Sequence, residues 1–177
     1  MKRLISLAAM LLIAAFTMGA SAQNILGQWK VDTEKLLAGE DIGDAELEIT
    51  FSFEDDNTGL CDIYVNMSQP MDNTTDMRFE LLIDMEYEWE LDGNNLTLSP
   101  TDVDLCLGEI SFSPANPQYD ALVPYMRQAI EQQFGANKEA VVSQMGISSG
   151  ESTVEFPEND VLVMQSEDDA VITMYRM

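Results

Sequence analysis

Strict alternation of apolar and charged residues is the dominant pattern of this chain. Within residues 77–91, every odd position is apolar and every even position except Leu82 is charged. Because successive side chains of a β-strand point to opposite faces, this pattern predicts a strand with one buried and one solvated face. Residues 46–54 alternate in the same way and predict a second half-buried strand.

Short segments rich in Asp, Asn and Gly separate the predicted strands and indicate hairpin turns, as at 55–59 and 92–95. Strands joined in sequence by tight turns form an up-and-down antiparallel sheet, which must bury its apolar face. The pattern predicts about nine strands, at 27–32, 46–54, 60–68, 77–91, 96–98, 102–113, 152–156, 161–165 and 170–176.

Two irregularities in the alternation predict β-bulges. Leu82 interrupts the pattern within the longest strand, so a bulge is expected at 81–83. The inward parity also shifts between Leu107 and Ile110, and Gly108 is the natural place for a second bulge.

A change of period after residue 116 predicts a helical insertion near 117–145. Apolar residues recur there at intervals of three and four, as in an amphipathic helix, and Asn137 is a candidate cap for a second short helix that ends at Met145. A helix in this position could plug one end of a barrel. The predicted fold is therefore mostly β, an antiparallel up-and-down barrel of about eight to nine strands with one helical insertion. The apolar stripe consists of Tyr119, Leu122, Val123, Met126, Ile130 and Phe134.

The N-terminus has the pattern of a secretory signal peptide. Lys2 and Arg3 precede an apolar run that ends before the small-residue motif at 20–22, and the run is too short to span a bilayer. We therefore predict a signal peptide at 1–22, a single domain at 23–177, and a periplasmic or extracellular location. No stable membrane insertion is expected, because no second apolar segment is long enough.

The formal net charge of −24 limits the partners that the protein can take. Nucleic acids and anionic lipids are bound mainly through Lys and Arg, so this chain should repel both, whereas cations or a basic protein would be attracted. The absence of His removes the Ser-His and Cys-His designs of nucleophilic catalysis. The acidic turns lack the EF-hand spacing. We therefore predict no catalytic residues, no metal site and no cofactor, with a carboxylate-based hydrolase as the weakest alternative.

Cys61 and Cys106 are the two cysteines, and an isolated pair in an oxidising compartment predicts a disulfide. The parity of the two residues conflicts with this prediction. Cys61 shares its parity with inward-facing apolar residues, whereas Cys106 shares its parity with Asp102 and Asp104 and should point outward.

Six aromatic residues have inward parity and are the candidate ligand-binding residues. They can form an ordinary core, or they can line a cavity for a small apolar ligand. Both interpretations are open at this point. The six are Trp29, Phe51, Phe53, Phe79, Tyr87 and Trp89.

The motif Gly27-Gln28-Trp29 resembles the Gly-x-Trp that opens the first strand of lipocalins and related calycins. The meander that follows, with turns such as Asp92-Gly93-Asn94, resembles the lipocalin-like domains of secreted Bacteroidetes proteins. The resemblance implies that Trp29 packs across the closed end of the barrel and that the interior encloses a small apolar molecule. Ligand binding is thus the first hypothesis. The alternative is a structural or interaction module with a filled barrel and an acidic surface for a basic partner or cations.

Overall fold

The alternating segments form one antiparallel sheet of eight strands that closes into a barrel. The computed structural model describes residues 22–38, 45–135, 150–166 and 170–177. Residues 1–21 of the predicted signal peptide and the predicted helix at 137–145 lie outside them. The strands are β1 Gly27–Val31, β2 Glu46–Phe53, β3 Thr58–Pro70, β4 Asp76–Asp92, β5 Asn95–Ser113, β6 Gly150–Glu158, β7 Val161–Ser166 and β8 Val171–Arg176, and the helices are α1 Ala22–Ile25, α2 Thr33–Leu36, α3 Pro117–Asp120 and α4 Val123–Gly135.

Each strand pairs with its neighbour in sequence, and β1 also pairs with β8 to complete the ring. In β1, Trp29 stands opposite Phe51 of β2 on one side and opposite Arg176 of β8 on the other. The mostly-β, up-and-down architecture predicted from the alternation is therefore confirmed.

The two ends of the barrel differ in how the strands are connected. Tight turns at 54–57, 93–94 and 159–160 join the strands at one end, which we call the closed end. Gly93 has a φ of +63°, a conformation that favours glycine, and it permits the two-residue turn between β4 and β5. Because the strands are antiparallel, the connections that follow β1, β3, β5 and β7 meet at the opposite end, the open end.

The described residues form eight strands rather than nine, because 96–98 and 102–113 belong to a single strand, β5. Pro100 lies between the two predicted segments and pairs with Tyr87 inside the strand. The register shifts next to this pair, at Glu86/Tyr87. On its other side β5 pairs with β6 only through 95–98 in the described residues, and proline is tolerated at strand edges and at bulges, where a missing N–H disrupts the ladder least.

One of the two predicted bulges is confirmed and the other is wrong. Phe79 pairs with Ile110, but Leu81 pairs with Leu107, so β5 has one extra residue in the region of Gly108. The pairing continues without interruption through 81–83. Leu82 is an outward-facing residue that happens to be apolar, with 39% of its surface exposed.

The predicted disulfide is wrong. Cys61 is fully buried, Cys106 is exposed, and both thiols are free. The register explains this, because Cys61 stands opposite Met85 on the inner face whereas Cys106 stands opposite Leu82 on the outer face. The sheet itself separates the two sulfur atoms. Burial, together with the nearby Asp62, raises the pKa of the Cys61 thiol, which stays protonated.

The helical insertion begins as two helices, α3 and α4, rather than as one continuous helix. Pro124 is the reason, because it has no N–H to donate to the preceding turn and is tolerated only at the start of a helix. The interruption places Leu122 in the intervening turn, where 46% of its surface is exposed. Val123, Met126 and Ile130 continue the stripe and pack against the core.

No helix among the described residues is both long and apolar enough to cross a membrane.

Candidate functional site

The closed end of the barrel is occupied by an aromatic cluster. Phe53 lies at its centre, with its ring centroid 5.7 Å from that of Tyr87 and 5.8 Å from that of Trp89, both in edge-to-face geometry. Phe51 lies 6.3 Å from Phe53 and 6.2 Å from Tyr87. Such pairs contribute about 0.5–1.5 kcal/mol each beyond the area that they bury.

The polar atoms of this cluster are bonded to the backbone of the neighbouring turn. The Tyr87 hydroxyl donates to the carbonyl of Ser52 at 2.8 Å, and Trp89 Nε1 donates to the carbonyl of Thr58 at 3.0 Å. The backbone N–H of Trp89 also donates to the carbonyl of Asn57 at 2.8 Å. The four aromatic rings therefore pack as one cluster, and Tyr87 and Trp89 are hydrogen-bonded to backbone carbonyls in and beside the turn at 54–57.

Trp29 belongs to the closed end as well, and Arg176 packs on it. The Trp29 ring is 6.0 Å from the ring of Phe156, and the Arg176 guanidinium lies 4.3 Å from the centre of the indole. Trp29 Nε1 donates to the carbonyl of Ile25 at 2.6 Å. Sequence analysis missed Arg176, although it is one of only eight basic residues in a strongly acidic chain.

The structure thus separates the six predicted ligand-binding residues. Trp29, Phe51, Phe53, Tyr87 and Trp89 lie at the closed end and are buried. Phe79 alone lies nearer the open end, where it is half-buried and pairs across the sheet with Met67. If an apolar molecule enters this barrel, Phe79 is the member of the set best placed to meet it.

The long strands β3, β4 and β5 extend past the shorter ones and leave two flanks without a paired strand in the described part of the chain. On the first flank, β5 beyond residue 98 is covered by α4. Arg127 of α4 donates through its guanidinium to the carbonyls of Leu107 and Gly108, with the second bond at 2.6 Å. The bulge at Gly108 therefore supplies the backbone acceptors that anchor this helix.

The second flank is the start of β2, which pairs with β1 only through Thr50–Phe53. A crevice of about 490 Å³ opens there between α2 and β2, and we call it the α2–β2 crevice. Three of its lining residues are apolar, namely Leu37, Ala45 and Leu47. Three are acidic, namely Glu34, Glu46 and Glu48, and the hydroxyl-bearing residues Thr33 and Tyr64 complete the lining.

The polar lining residues of the crevice have few partners. Lys30 Nζ contacts Glu48 at 2.9 Å, and Asn66 donates to Glu46 at 3.3 Å. The Tyr64 hydroxyl donates to Glu80 at 3.2 Å. Partial desolvation and the charge of Glu80 raise the pKa of Tyr64, so this hydroxyl stays a donor.

A row of carboxylates crosses the outer face of the sheet. Asp62 of β3 stands opposite Asp84 of β4, which stands opposite Asp104 of β5, and Glu86 and Asp102 form the next pair. Together with Leu60 these five acids line a groove of about 260 Å³. Among the residues that the structure describes, no group of three or more His, Cys, Asp or Glu side chains has the geometry to hold a metal ion.

Replacing Asp84 by Asn should stabilise the protein at neutral pH. Burial and the charge of Asp84 raise the pKa of Asp62, so the folded state keeps this proton to a higher pH than the unfolded state does. This shift destabilises the folded state. The destabilisation is absent at pH values below the pKa of Asp62 in the unfolded state, grows as the pH rises towards the pKa of Asp62 in the folded state, and is complete above it. We expect D84N to remove part of this penalty, about 0.2–1 kcal/mol per opposed pair.

Urea unfolding at neutral and acidic pH, with an NMR titration of Asp62, measures this effect. The gain from D84N should shrink at acidic pH, and the Asp62 pKa should fall towards its ordinary value. E88Q is the control, because Glu88 stands opposite Thr58 and Ser99 rather than opposite acids. If D84N and E88Q increased the free energy of unfolding equally, repulsion within the row of carboxylates would not be the cause.

Neither the scan against protein-family models nor the search of curated proteins finds a match for this chain. The functional assignment therefore depends on the geometry of the barrel and its crevice.

Proposed function

We propose that this protein is an exported, non-enzymatic, lipocalin-like binding protein that takes up a small apolar molecule at the open end of its barrel. The α2–β2 crevice carries the proposal. Its volume of about 490 Å³ falls within the roughly 300–1,000 Å³ typical of small-molecule sites, and its lining places three apolar residues beside acidic and hydroxyl-bearing ones.

The packing of the closed end supports this location. The aromatic rings there pack against one another, and the polar atoms of Tyr87 and Trp89 are hydrogen-bonded to backbone carbonyls. A ligand would therefore have to displace ring contacts to enter. Towards the open end, the inward-facing side chains of Leu47, Val65, Met67 and Phe79 are only half-buried. Apolar surface that is still accessible beside a crevice is what a small ligand can cover.

Export is compatible with the packing at the start of the domain. Cleavage after Ala22 retains Asn24, Ile25 and Leu26, whose carbonyls accept hydrogen bonds from Trp29 and Arg176. Ile25 is fully buried in the core. The mature chain would therefore keep every contact described at the closed end.

Binding of Nile red, a neutral apolar dye, tests the proposed site. We expect saturable binding with a rise in dye fluorescence, and L37Q should weaken it by about tenfold, because a polar side chain would replace part of the apolar lining. L36Q is the matched control, since Leu36 is the adjacent exposed residue and does not line the crevice. Thermal unfolding of both variants checks that they remain folded.

The contrary outcomes are also specific. If the native protein binds no dye, or if L36Q and L37Q bind it equally well, the crevice is not the site. Organic extraction of natively purified protein should additionally release a stoichiometric small molecule. Absence of any ligand, combined with salt-sensitive capture of a basic protein, would favour the interaction module with an acidic surface.

A further inference from the structure

We propose that the ligand of the α2–β2 crevice carries a protonated amine beside its apolar part. This inference rests on the proposed function and specifies the chemical class of the ligand. It follows from the way in which the crevice combines apolar residues with two carboxylates, those of Glu34 and Glu46, that have no cationic partner in the described part of the chain.

The apolar and acidic residues of the crevice alternate along one strand. Glu46, Leu47 and Glu48 are consecutive in β2, so the two carboxylates stand on the outer side of the strand and Leu47 on its inner side. Because β1 does not pair with this part of β2, both sides border the crevice. Glu34 and Leu37 face it from the side of α2. An occupant that covers the leucines therefore has carboxylates at its edge.

The cations near the crevice are too few to neutralise these carboxylates. Lys30 contacts Glu48, whereas Glu34 and Glu46 have no ion-pair partner in the described part of the chain. Lys35 of α2 is engaged elsewhere, at 3.0 Å from the Asp32 carboxylate and 2.8 Å from the Tyr175 hydroxyl.

An amine is the group that best complements this arrangement. An ammonium group has three donors and no acceptor, and charge-assisted bonds to carboxylates are about twice as strong as neutral ones. The ring of Tyr64 in the same lining offers an additional surface that a cation favours. A carboxylate ligand of equal length would bring another negative charge against Glu34 and Glu46, which opposes binding.

Displacement of Nile red by decylamine, decanol and decanoate tests the inference, because these compounds share one chain and differ only in the head group. At neutral pH and low salt we expect decylamine to displace the dye at about tenfold lower concentration than decanol, and decanoate to be the weakest. Added salt should narrow the difference between amine and alcohol, since it screens exposed charges.

Charge-neutralising variants test which carboxylates cause the preference for decylamine over decanol. E34Q and E46Q should each reduce the advantage of decylamine over decanol several-fold, and the double variant should nearly remove it. The affinity for decanol serves as the internal check that the variants are folded. E88Q, on the outer face of β4 and outside the crevice, should behave like the native protein.

The two proposals fail in different ways. If Nile red does not bind, or if none of the three compounds displaces it, the proposed function falls and the inference falls with it. If decanol and decanoate displace the dye as well as decylamine does, the binding function stands and the amine preference is overturned. If E34Q and E46Q leave the preference unchanged, the carboxylates of the crevice are not its cause.

Discussion

Replacing Gly59 by Ala should destabilise the barrel by about 3–5 kcal/mol, which is a large part of the roughly 5–15 kcal/mol that holds a typical domain folded. Gly59 occupies an inward-facing position of β3, between Phe53 of β2 and Tyr87 of β4. A Cβ atom there would overlap the ring of Tyr87 and the carbonyl oxygen of Ser52. The missing side chain is what allows the Tyr87 ring to lie over the strand.

Two costs combine in this variant. Forcing a methyl group into a packed core costs about 1–3 kcal/mol. Moving the Tyr87 ring also breaks the bond from its hydroxyl to Ser52, which leaves a buried polar group unpaired at about 1–3 kcal/mol. Burial strongly raises the pKa of Tyr87, so ionisation offers no escape from that cost.

Urea unfolding followed by circular dichroism measures the loss, with G93A as the matched control. Gly93 has a positive φ but no atom within 4 Å of an added Cβ, so G93A should cost only about 1–2 kcal/mol. The substitution G59A should cost less in a Y87L background than in the native protein, because the overlapping ring is then absent. Equal costs of G59A and G93A would show that the contact with Tyr87 is unimportant.

The strands that alternate clearly were predictable because their pattern is local. In a sheet with one buried face, apolar side chains must recur at every second position, and the burial of 77–91 follows that rule almost throughout. The same rule placed the bulge near Gly108 from the change in parity between Leu107 and Ile110. The rule failed at Leu82, because an apolar residue on an outer face produces the same sequence pattern as a shift of register.

The errors arose where the answer depends on relations between distant segments. Pairing Cys61 with Cys106 followed from the compartment and from the number of cysteines, but the register places them on opposite faces. Their parity already indicated this, and it was the better evidence, because a sheet separates its two faces regardless of redox conditions. The break before α4 was also visible in sequence, since Pro124 lies within the predicted helical segment and has no N–H to donate to a preceding helical turn.

The crevice and the Arg176 contacts could not be predicted from local pattern. The crevice exists because β2 is longer than its pairing with β1, and that register is a property of the closed ring. Nothing in the local sequence indicates that Glu34 and Leu37 border the same space as Glu46. Such a site becomes apparent only when the segments are assembled.

Replacing Arg176 by Ala should cost about 2–4 kcal/mol, because this exposed side chain holds the N-terminal segment against the closed end through two charge-assisted hydrogen bonds and a cation–π contact. Its guanidinium donates to the carbonyl of Leu26 at 2.7 Å and to that of Asn24 at 2.6 Å, while its face covers the ring of Trp29. The indole N–H of Trp29 donates to the carbonyl of Ile25, which lies between Asn24 and Leu26 in the sequence. Three successive carbonyls are thus fixed by one arginine and one tryptophan.

The geometry also predicts how the conservative variant behaves. Lysine presents a compact ammonium group that cannot reproduce the planar fork of a guanidinium. R176K should therefore restore the cation–π contact but not both hydrogen bonds to carbonyls, and it should recover about half of the stability that R176A loses. Hydrogen exchange of the Trp29 indole N–H should accelerate in R176A, because its acceptor Ile25 is released together with Asn24 and Leu26.

The control for Arg176 is K30A, on the adjacent strand β1. Lys30 makes one exposed ion pair with Glu48, and such pairs contribute at most about 1 kcal/mol. If R176A costs no more than K30A, the arginine is only another surface charge. If R176A costs several times more and R176K lies between the two, then β8 closes the ring of strands and also fixes the segment that precedes β1.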